Sequence, residues 1–495
     1  MRAISWTETT LISSFMRLHM EKDGRVDMDE LANRAVAHAC AYLGSVRERT
    51  VKATLTGDEL RELLGGPVPV RGEDPIRVID TIAEAGRTGT VASQGPRYFG
   101  FVIGGSIPAA IVTDWLVSAW DQNAQTFVMS PISAVVEEIV SEWLKQLFGL
   151  PTAWSVGFVT GAQMASFTSL MTARHELLRQ AGWDVERSGL FGAPPIDVIV
   201  SDESHRTIFT ALRMLGLGAE RVRRVETDTQ GRMRPDRLGE ILREGTGPCI
   251  VCTQIGNVNT GAVDPIEDIA SLTRERGAWL HIDAAFGLWA ATSRSRRHLV
   301  TGIERADSIA TDGHKWLNVP YDSGIVLTAH PESHQRALLM PAHYIQMTPG
   351  VREPRAYTPD ESRRARALPM YAALRVLGRE GVGEIVDRCC TLATRMATRL
   401  ASHECVRILN EVVLNQVLVQ FRPPDGDDSA AAALTEKVIA LVQEDGTCWV
   451  GGTKWQGQVA MRVSISNWST TAEDIDRSAA AIIGALDGTL VRIAG

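Results

Sequence analysis

Paired cysteines, which a disulfide framework needs, are scarce in this chain: there are seven in 495 residues. Cys389 and Cys390 are adjacent, and Cys249 and Cys252 lie in an apolar, strand-like run, so buried free thiols are expected rather than bridges. The Cys249-Ile250-Val251-Cys252 spacing imitates half a zinc motif, but no second Cys/His pair at suitable spacing accompanies it, and no metal is expected. A surplus of basic charge is missing as well. Lys and Arg number 51 against 59 Asp and Glu, a net charge of −8, which disfavours general nucleic-acid or anionic-membrane binding. The most apolar long segment, Tyr98 to Thr113, contains Pro108 and several glycines and stops short of the ~20 residues that span a bilayer. Glu8 and Ser13-Ser14 interrupt the apolar cluster near the N-terminus, which makes a poor signal peptide. Internal repeats and low-complexity tracts are also absent. A soluble protein in a reducing cytoplasm is expected, free of nucleic-acid and membrane partners.

What remains is a composition ordinary for a globular chain, with 44% hydrophobic and 22% charged residues, and a length sufficient for two or three domains. Residues 1 to about 90 read as helical and polar, broken by Gly65-Gly66-Pro67 and by Gly72. Ala134 to Leu147 has apolar residues at helical spacing and is stopped by Gly149 and Pro151. Short apolar runs then alternate with helical patterns. The runs are Val198 to Val200, Cys249 to Cys252, Trp279 to Ile282, Ser308 to Ala310 and Gly324 to Leu327. Helical patterns between them cover Thr207 to Leu215, Pro235 to Leu242 and Ile266 to Arg276. Such alternation predicts an α/β fold with a mostly parallel sheet. From about residue 360 the texture changes to a smaller α/β domain, with strands over Val412 to Phe421 and Val459 to Ile465 and helices over Ala430 to Gln443 and Ile475 to Leu486. The expected division is a helical, dimerising segment over 1–105, a large domain over 106–355 and a small C-terminal domain over 356–495.

The chemistry concentrates at strand ends. Asp283 closes the run His281-Ile282-Asp283-Ala284-Ala285, and His314-Lys315-Trp316 follows the next run. A lysine amine can join the aldehyde of pyridoxal phosphate (PLP), while a carboxylate keeps the pyridine nitrogen protonated. Upstream, Thr160-Gly161-Ala162-Gln163 stands between apolar Val156 to Val159 and a helical segment. Small residues at such a turn let backbone N–H groups and the helix dipole hold a phosphate. His205 follows the Val198 run, where a ligand of an open α/β sheet gathers. Taken singly, each has a plainer explanation: a helix cap for His205, a strand-end cap for Asp283, an exposed lysine at 315. Their order along the chain is the stronger signal.

Together with Gly95 to Gly100, Ser130-Pro131, Gly256 to Pro265 and Arg462 to Trp468, these motifs resemble the group II PLP-dependent amino acid decarboxylases, relatives of the aromatic amino acid and glutamate decarboxylases. The resemblance runs from about Gly95 to the C-terminal helix. It implies an aspartate aminotransferase-like fold (fold type I), with Lys315 covalently holding the cofactor and Asp283 at the ring nitrogen. It further implies that His205 stacks on one ring face, that Ala285 packs on the other, and that Ala162, Gln163 and His314 lie near the phosphate. Tyr344 matches a loop tyrosine that returns a proton to the substrate carbon after carbon dioxide leaves. The same resemblance points to Phe101, Val102, Ile103 and Arg366 for the substrate, and to a homodimer whose active site lies at the interface, with Asn123, Gln125, Thr126 and Phe127 as the contributed segment. Three positions depart from the pattern: Gln163, Val258, and Asp312 where relatives carry Asn. A carboxylate beside a phosphate is repulsive, so Asp312 is expected to turn away or pair with a cation.

The expected activity is decarboxylation of an L-amino acid, with an aromatic or other apolar side chain favoured by Phe101 to Ile103. Oxidative conversion to an aldehyde, another carbon–carbon lyase or aminotransferase reaction, and a catalytically silent binding protein are the alternatives. Tyr344 favours the amine, and intact Lys315, Asp283 and His205 oppose the silent protein.

Overall fold

The computed structural model describes residues 27–339, 348 and 350–494, so Tyr344 lies outside the described residues. The chain divides into two compact units, Met1–Ala92 and Ser93–Gly495.

Three helices make up the described part of the first unit: α1 Met28–Ser45, α2 Gly57–Leu64 and α3 Pro75–Gly89. Each begins with a side chain that accepts an otherwise unpaired N–H: Asp27, Thr56 in a reciprocal capping box with Glu59, and Asp74 ahead of Pro75. Arg34 of α1 grips Asp80 of α3 with two hydrogen bonds, of 2.6 and 2.8 Å. The buried hydrophobic residues here are Val51, Ala85 and Ala92, a thin core.

The second unit contains two sheets. Its helices are α4 Pro108–Trp120, α5 Pro131–Phe148, α6 Ala162–Gln180, α7 Arg206–Met214, α8 Pro235–Glu244, α9 Ile266–Arg276, α10 Pro331–Leu338, α11 Ala367–Ala401, α12 Asp428–Asp445 and α13 Ala472–Ala494, with shorter turns between. The large sheet holds β1 Ser155–Val159, β2 Asp197–Ser201, β3 Arg223–Val225, β4 Cys249–Gln254, β5 Trp279–Asp283, β6 Ser308–Asp312 and β7 Gly324–Thr328, in the order β1-β7-β6-β5-β4-β2-β3. Strands β1, β4, β5, β6 and β7 are buried along their whole length, as expected for a sheet covered on both faces. Pairing is parallel from β3 through β6, whereas β7 runs antiparallel to both β6 and β1. Strands β1, β2, β4, β5 and β6 therefore point the same way, and their carboxyl ends share one edge. That edge is where an open α/β sheet presents ligand-binding groups.

The small sheet is antiparallel, ordered β10-β11-β9-β8, from β8 Val406–Ile408, β9 Gln416–Phe421, β10 Gly451–Trp455 and β11 Gln458–Ser464. Strand β9 starts later than the apolar run from Val412 predicts. Val413 N–H bonds back to Glu411 O at 2.8 Å, and the Asn410 amide donates to Gln416 O at 3.0 Å and accepts from Leu418 N–H at 2.9 Å. The Asn410 side chain thus pairs with the first residues of β9, while the chain before Gln416 turns back on itself. Six of the seven cysteines are buried thiols and Cys40 is exposed. Among the described residues no helix is long and apolar enough to cross a membrane.

Candidate active site

Asp283 is the last residue of β5 and is buried; its carboxylate accepts the Ala285 N–H at 3.2 Å. Two strands away His205 follows β2 and caps α7, its Nδ1 lying 2.7 Å from Thr207 Oγ1. The capping role and a ligand-facing ring are thus compatible. Burial pushes the His205 imidazole below its ordinary pKa; Asp283 opposes this, while Lys315, Arg206 and Arg462 reinforce it. His205, Asp283 and Lys315 thus stand at the carboxyl ends of β2, β5 and β6, on one edge of the sheet.

Lys315 lies in a single helical turn, Gly313–Trp316, directly after β6. Its Nζ stands 3.5 Å from Asp312 Oδ2 and 5.8 Å from the centre of the Phe286 ring. Trp316 beneath it is fully buried. Backbone contact fixes the turn from outside: Gly104 N–H donates to His314 O at 3.1 Å, and a Cβ on Gly104 would lie 1.8 Å from Lys315 O. Glycine is required there by close approach alone. His314 stacks on Tyr321 with ring centres 4.2 Å apart, and burial drives its pKa down to about 3. Ala285 accepts the Asp312 N–H at 2.9 Å, which joins the loop after β5 to the end of β6.

Helix α6, 19 residues long, starts at the carboxyl end of β1 from Gly161, which contributes no side-chain cap. Its first N–H groups are orphans that an anion can take. The Ala162 N–H donates instead to Asp312 Oδ1 at 2.6 Å. Of the two expectations for Asp312 the second holds: it does not turn away but pairs with a cation, Lys315 Nζ at 3.5 Å, while occupying the helix end, with His314 Nε2 at 3.6 Å. Burial lifts its pKa to about 6, against the downward pull of Lys315 and the Ala162 N–H. Burial is the larger effect because the carboxyl is only 4% exposed.

Of the residues expected near the substrate, Phe101 is 62% exposed, Ile103 is half-buried, and Val102 belongs to the hydrophobic core. Phe101 and Val102 both adopt left-handed backbone, φ 53° and 58°, a strained choice for a β-branched residue. The strain is held by neighbours: Phe99 N–H bonds Trp449 O at 2.9 Å, and Trp449 stacks on Tyr98 at 5.1 Å. Arg366 is already engaged, with Asp360 at 3.0 Å and Asp322 at 3.8 Å. Arg462 on β11 is, with Arg366, one of the two arginines that could clamp an α-carboxylate as an aminotransferase requires. It has no carboxylate partner among the described residues and donates to Val258 O at 3.3 Å. Linear sequence offered no sign of that placement, since β11 lies in the other sheet. The 123–127 segment is tied to the chain beyond the Tyr344 loop: Asn123 Oδ1 accepts Arg363 N–H at 3.2 Å, and Glu353 accepts Phe127 N–H at 3.0 Å and Thr348 N–H at 2.8 Å.

A primary amine, a buried carboxylate, a neutral imidazole and a helix amino end at one sheet edge suit a flat heterocycle bearing a carbonyl and an anionic tail. Comparison with known proteins agrees. The profile of the pyridoxal-dependent decarboxylase conserved domain matches residues 58–422. An aromatic-L-amino-acid decarboxylase of Bacillus atrophaeus is 26% identical over 91% of this chain and 93% of its own length. The human cysteine sulfinic acid decarboxylase is 27% identical over 85% of this chain and 87% of its own. Among solved structures, Oryza sativa TDC with PLP and tryptamine superposes with a TM-score of 0.88 at 21% identity, covering 95% of this chain and all of that one (100%). Rhodiola rosea 4-hydroxyphenylacetaldehyde synthase superposes with a TM-score of 0.84 at 21% identity, covering 94% and 99%.

Proposed function

The chain belongs to the pyridoxal-dependent decarboxylase family, and from that premise we propose that it converts an L-amino acid with an aromatic or other apolar side chain to its amine and carbon dioxide. It is a PLP-dependent amino acid decarboxylase, a carboxy-lyase; the substrate class and the residue roles are our reading. When bound, the cofactor supplies an electrophilic carbonyl and a ring that accepts the electron pair of a breaking bond. The site residues fit it. Lys315 offers the amine that holds it, and Asp283 holds a proton at the ring nitrogen, stabilising charge that develops during bond breaking. His205 and Ala285 enclose the ring, while Ala162, Gln163 and His314 hold the phosphate end.

The observation behind this assignment is the placement of His205, Asp283 and Lys315 directly after or at the carboxyl ends of β2, β5 and β6, on one edge of the sheet. Arg462, free of carboxylate partners among the described residues, orients the substrate α-carboxylate in place of Arg366, whose cation is spent on Asp360 and Asp322. The apolar, exposed Phe101 supports an aromatic or aliphatic side chain. Exposed Val112, Leu116 and Trp120 on α4, Ile132 and Val135 on α5, and Val128 and Met129 between them support a homodimer. Val36, Leu63 and Ile82, exposed on the amino-terminal helices, support a share in dimerisation for that unit too.

Screening the standard amino acids for carbon dioxide release, with keto acid, aldehyde and ammonia measured beside the amine, tests the proposal. Release from an aromatic or aliphatic substrate with stoichiometric amine supports it; release from acidic substrates alone reverses the side-chain assignment. The aldehyde-forming reading has a structural neighbour in its favour, but the hydroxyl of Tyr344 argues for the amine. Tyr344→Phe is expected to keep cofactor binding and divert product from amine to aldehyde; unchanged amine formation would remove Tyr344 as the proton donor.

A further inference from the structure

Among the described residues, Asp312 is the carboxylate bonded to the amino end of α6, the place the proposed function assigns to the cofactor phosphate. Its position leaves little freedom. The backbone N–H is bonded to Ala285 O at 2.9 Å and the backbone O accepts the Trp289 indole at 2.9 Å. The side chain is 4% exposed. The helix start cannot retreat from it either, because α6 begins hard against β7: a Cβ on Gly324 would lie 2.5 Å from three backbone atoms of Gly161. A phosphate on the α6 N–H groups must therefore share them with a carboxyl already bonded to the first of them. Two anions on one helix end repel strongly in a buried site.

We infer that Asp312 loads the cofactor as a neutral carboxylic acid: its Oδ1 keeps the Ala162 N–H, its hydroxyl donates to a phosphate oxygen, and cofactor binding is coupled to uptake of one proton at this residue. The inference rests on the reading of α6 as the phosphate seat. The groups facing Asp312 are consistent with it. From its own turn come Lys315 at 3.5 Å and His314 at 3.6 Å, the latter uncharged at neutral pH because burial holds its pKa near about 3. From the β2–α7 side comes His205, also pushed toward neutrality by burial. From the β6–β7 connection comes the Tyr321 phenol, held protonated with a pKa of about 12. From α6 comes the backbone N–H, and the loop after β5 contributes backbone and the Trp289 indole. Lys315 is the single cation among them. Burial already brings the carboxyl to about 6, and a second anion at the helix end raises it further. The sign follows: a group that must be protonated to accept the ligand weakens binding as pH rises above its ligand-free pKa, by about tenfold per unit for one linked proton.

The test uses the full chain stripped of cofactor. Dissociation constants for pyridoxal 5′-phosphate and for pyridoxal, which shares the aldehyde and lacks the phosphate, are measured from pH 5.5 to 8.5 in wild type and Asp312→Asn. At pH 8 the variant is expected to bind pyridoxal phosphate at least ~10-fold tighter than wild type, with a pH slope shallower by about one proton. Pyridoxal is expected to bind both proteins alike. Calorimetry on wild type in buffers of different ionisation enthalpy supplies a check that needs no variant: more proton uptake with pyridoxal phosphate than with pyridoxal. Equal affinity and slope in the two proteins, an equal gain for pyridoxal, or no additional proton uptake overturns the inference while leaving the cofactor assignment intact. Failure of both proteins to bind pyridoxal phosphate overturns the cofactor site and this inference with it.

Discussion

His205, Asp283 and Asp312 all stand where strands end, but only the Asp312 carboxylate lies on the start of a helix, α6; the two kinds of place handle charge in opposite ways. At the strand ends the side chains supply the chemistry and the backbone only aims them. Asp283 is placed by β5 and anchored by the Ala285 N–H, and His205 is fixed by capping α7. At the start of α6 the backbone supplies the chemistry, and the one side chain in reach, Asp312, competes for it. Strand ends can thus be identified by residue type, whereas a helix end is identified by what happens to fold against it.

If that division of labour is right, variants at the strand ends change turnover and spare cofactor affinity, and variants at the helix end change cofactor affinity, in either direction, and spare turnover. The largest effect is expected from Lys315→Ala, which removes the amine itself: carbon dioxide release falls on the order of 10⁴-fold or more. Mass spectrometry after borohydride treatment should then find no pyridoxyl label at position 315, where wild type has one. Asp283→Asn keeps shape and loses charge. It should lower kcat by roughly 10²–10³-fold with cofactor still bound, as judged by absorbance titration. An unchanged kcat would remove Asp283 from the ring nitrogen. Arg462→Gln should lower kcat/KM by about 10–100-fold for every amino acid turned over, the loss of one charge-assisted contact. A loss confined to acidic substrates would instead assign Arg462 to their side chain. The smallest effect belongs to the helix end. Gly324→Ala forces a Cβ against Gly161 and should weaken pyridoxal phosphate binding about tenfold, from the ~1–3 kcal/mol that overpacking costs. At saturating cofactor its kcat should match wild type; a kcat loss comparable to that of Asp283→Asn would break the comparison.

Much of the fold was legible because its signals are local. The Ile266 to Arg276 pattern became α9 Ile266–Arg276 without adjustment, and the five apolar runs after residue 190 all became strands of the large sheet. Strand β3, Arg223–Val225, carried no such signal because two of its three residues are arginines at a sheet edge. The late start of β9 was hidden as well, since Asn410 intercepts the pairing from outside the run. Among the substrate residues, Phe101 to Ile103 looked uniformly apolar, yet the fold buries Val102 and exposes Phe101. Arg366 and Arg462 are equally basic in sequence. They differ only in that two carboxylates reach the first and none among the described residues reaches the second.

By itself the sequence determined the chemical types available and their order: a glycine turn before a helix, then histidine, aspartate and lysine after successive strands, because strand and helix periodicity together with residue chemistry are read over a few positions. Only the tertiary structure decided which of those groups share one sheet edge, that Arg462 of the small sheet bonds to Val258 O after β4, and that Asp312 takes the α6 helix end rather than turning from it. The physical reason is range. Desolvation and charge coupling depend on what packs within a few ångströms in space, and residues 162 and 312 become neighbours only once β1, β7 and β6 lie side by side in the sheet.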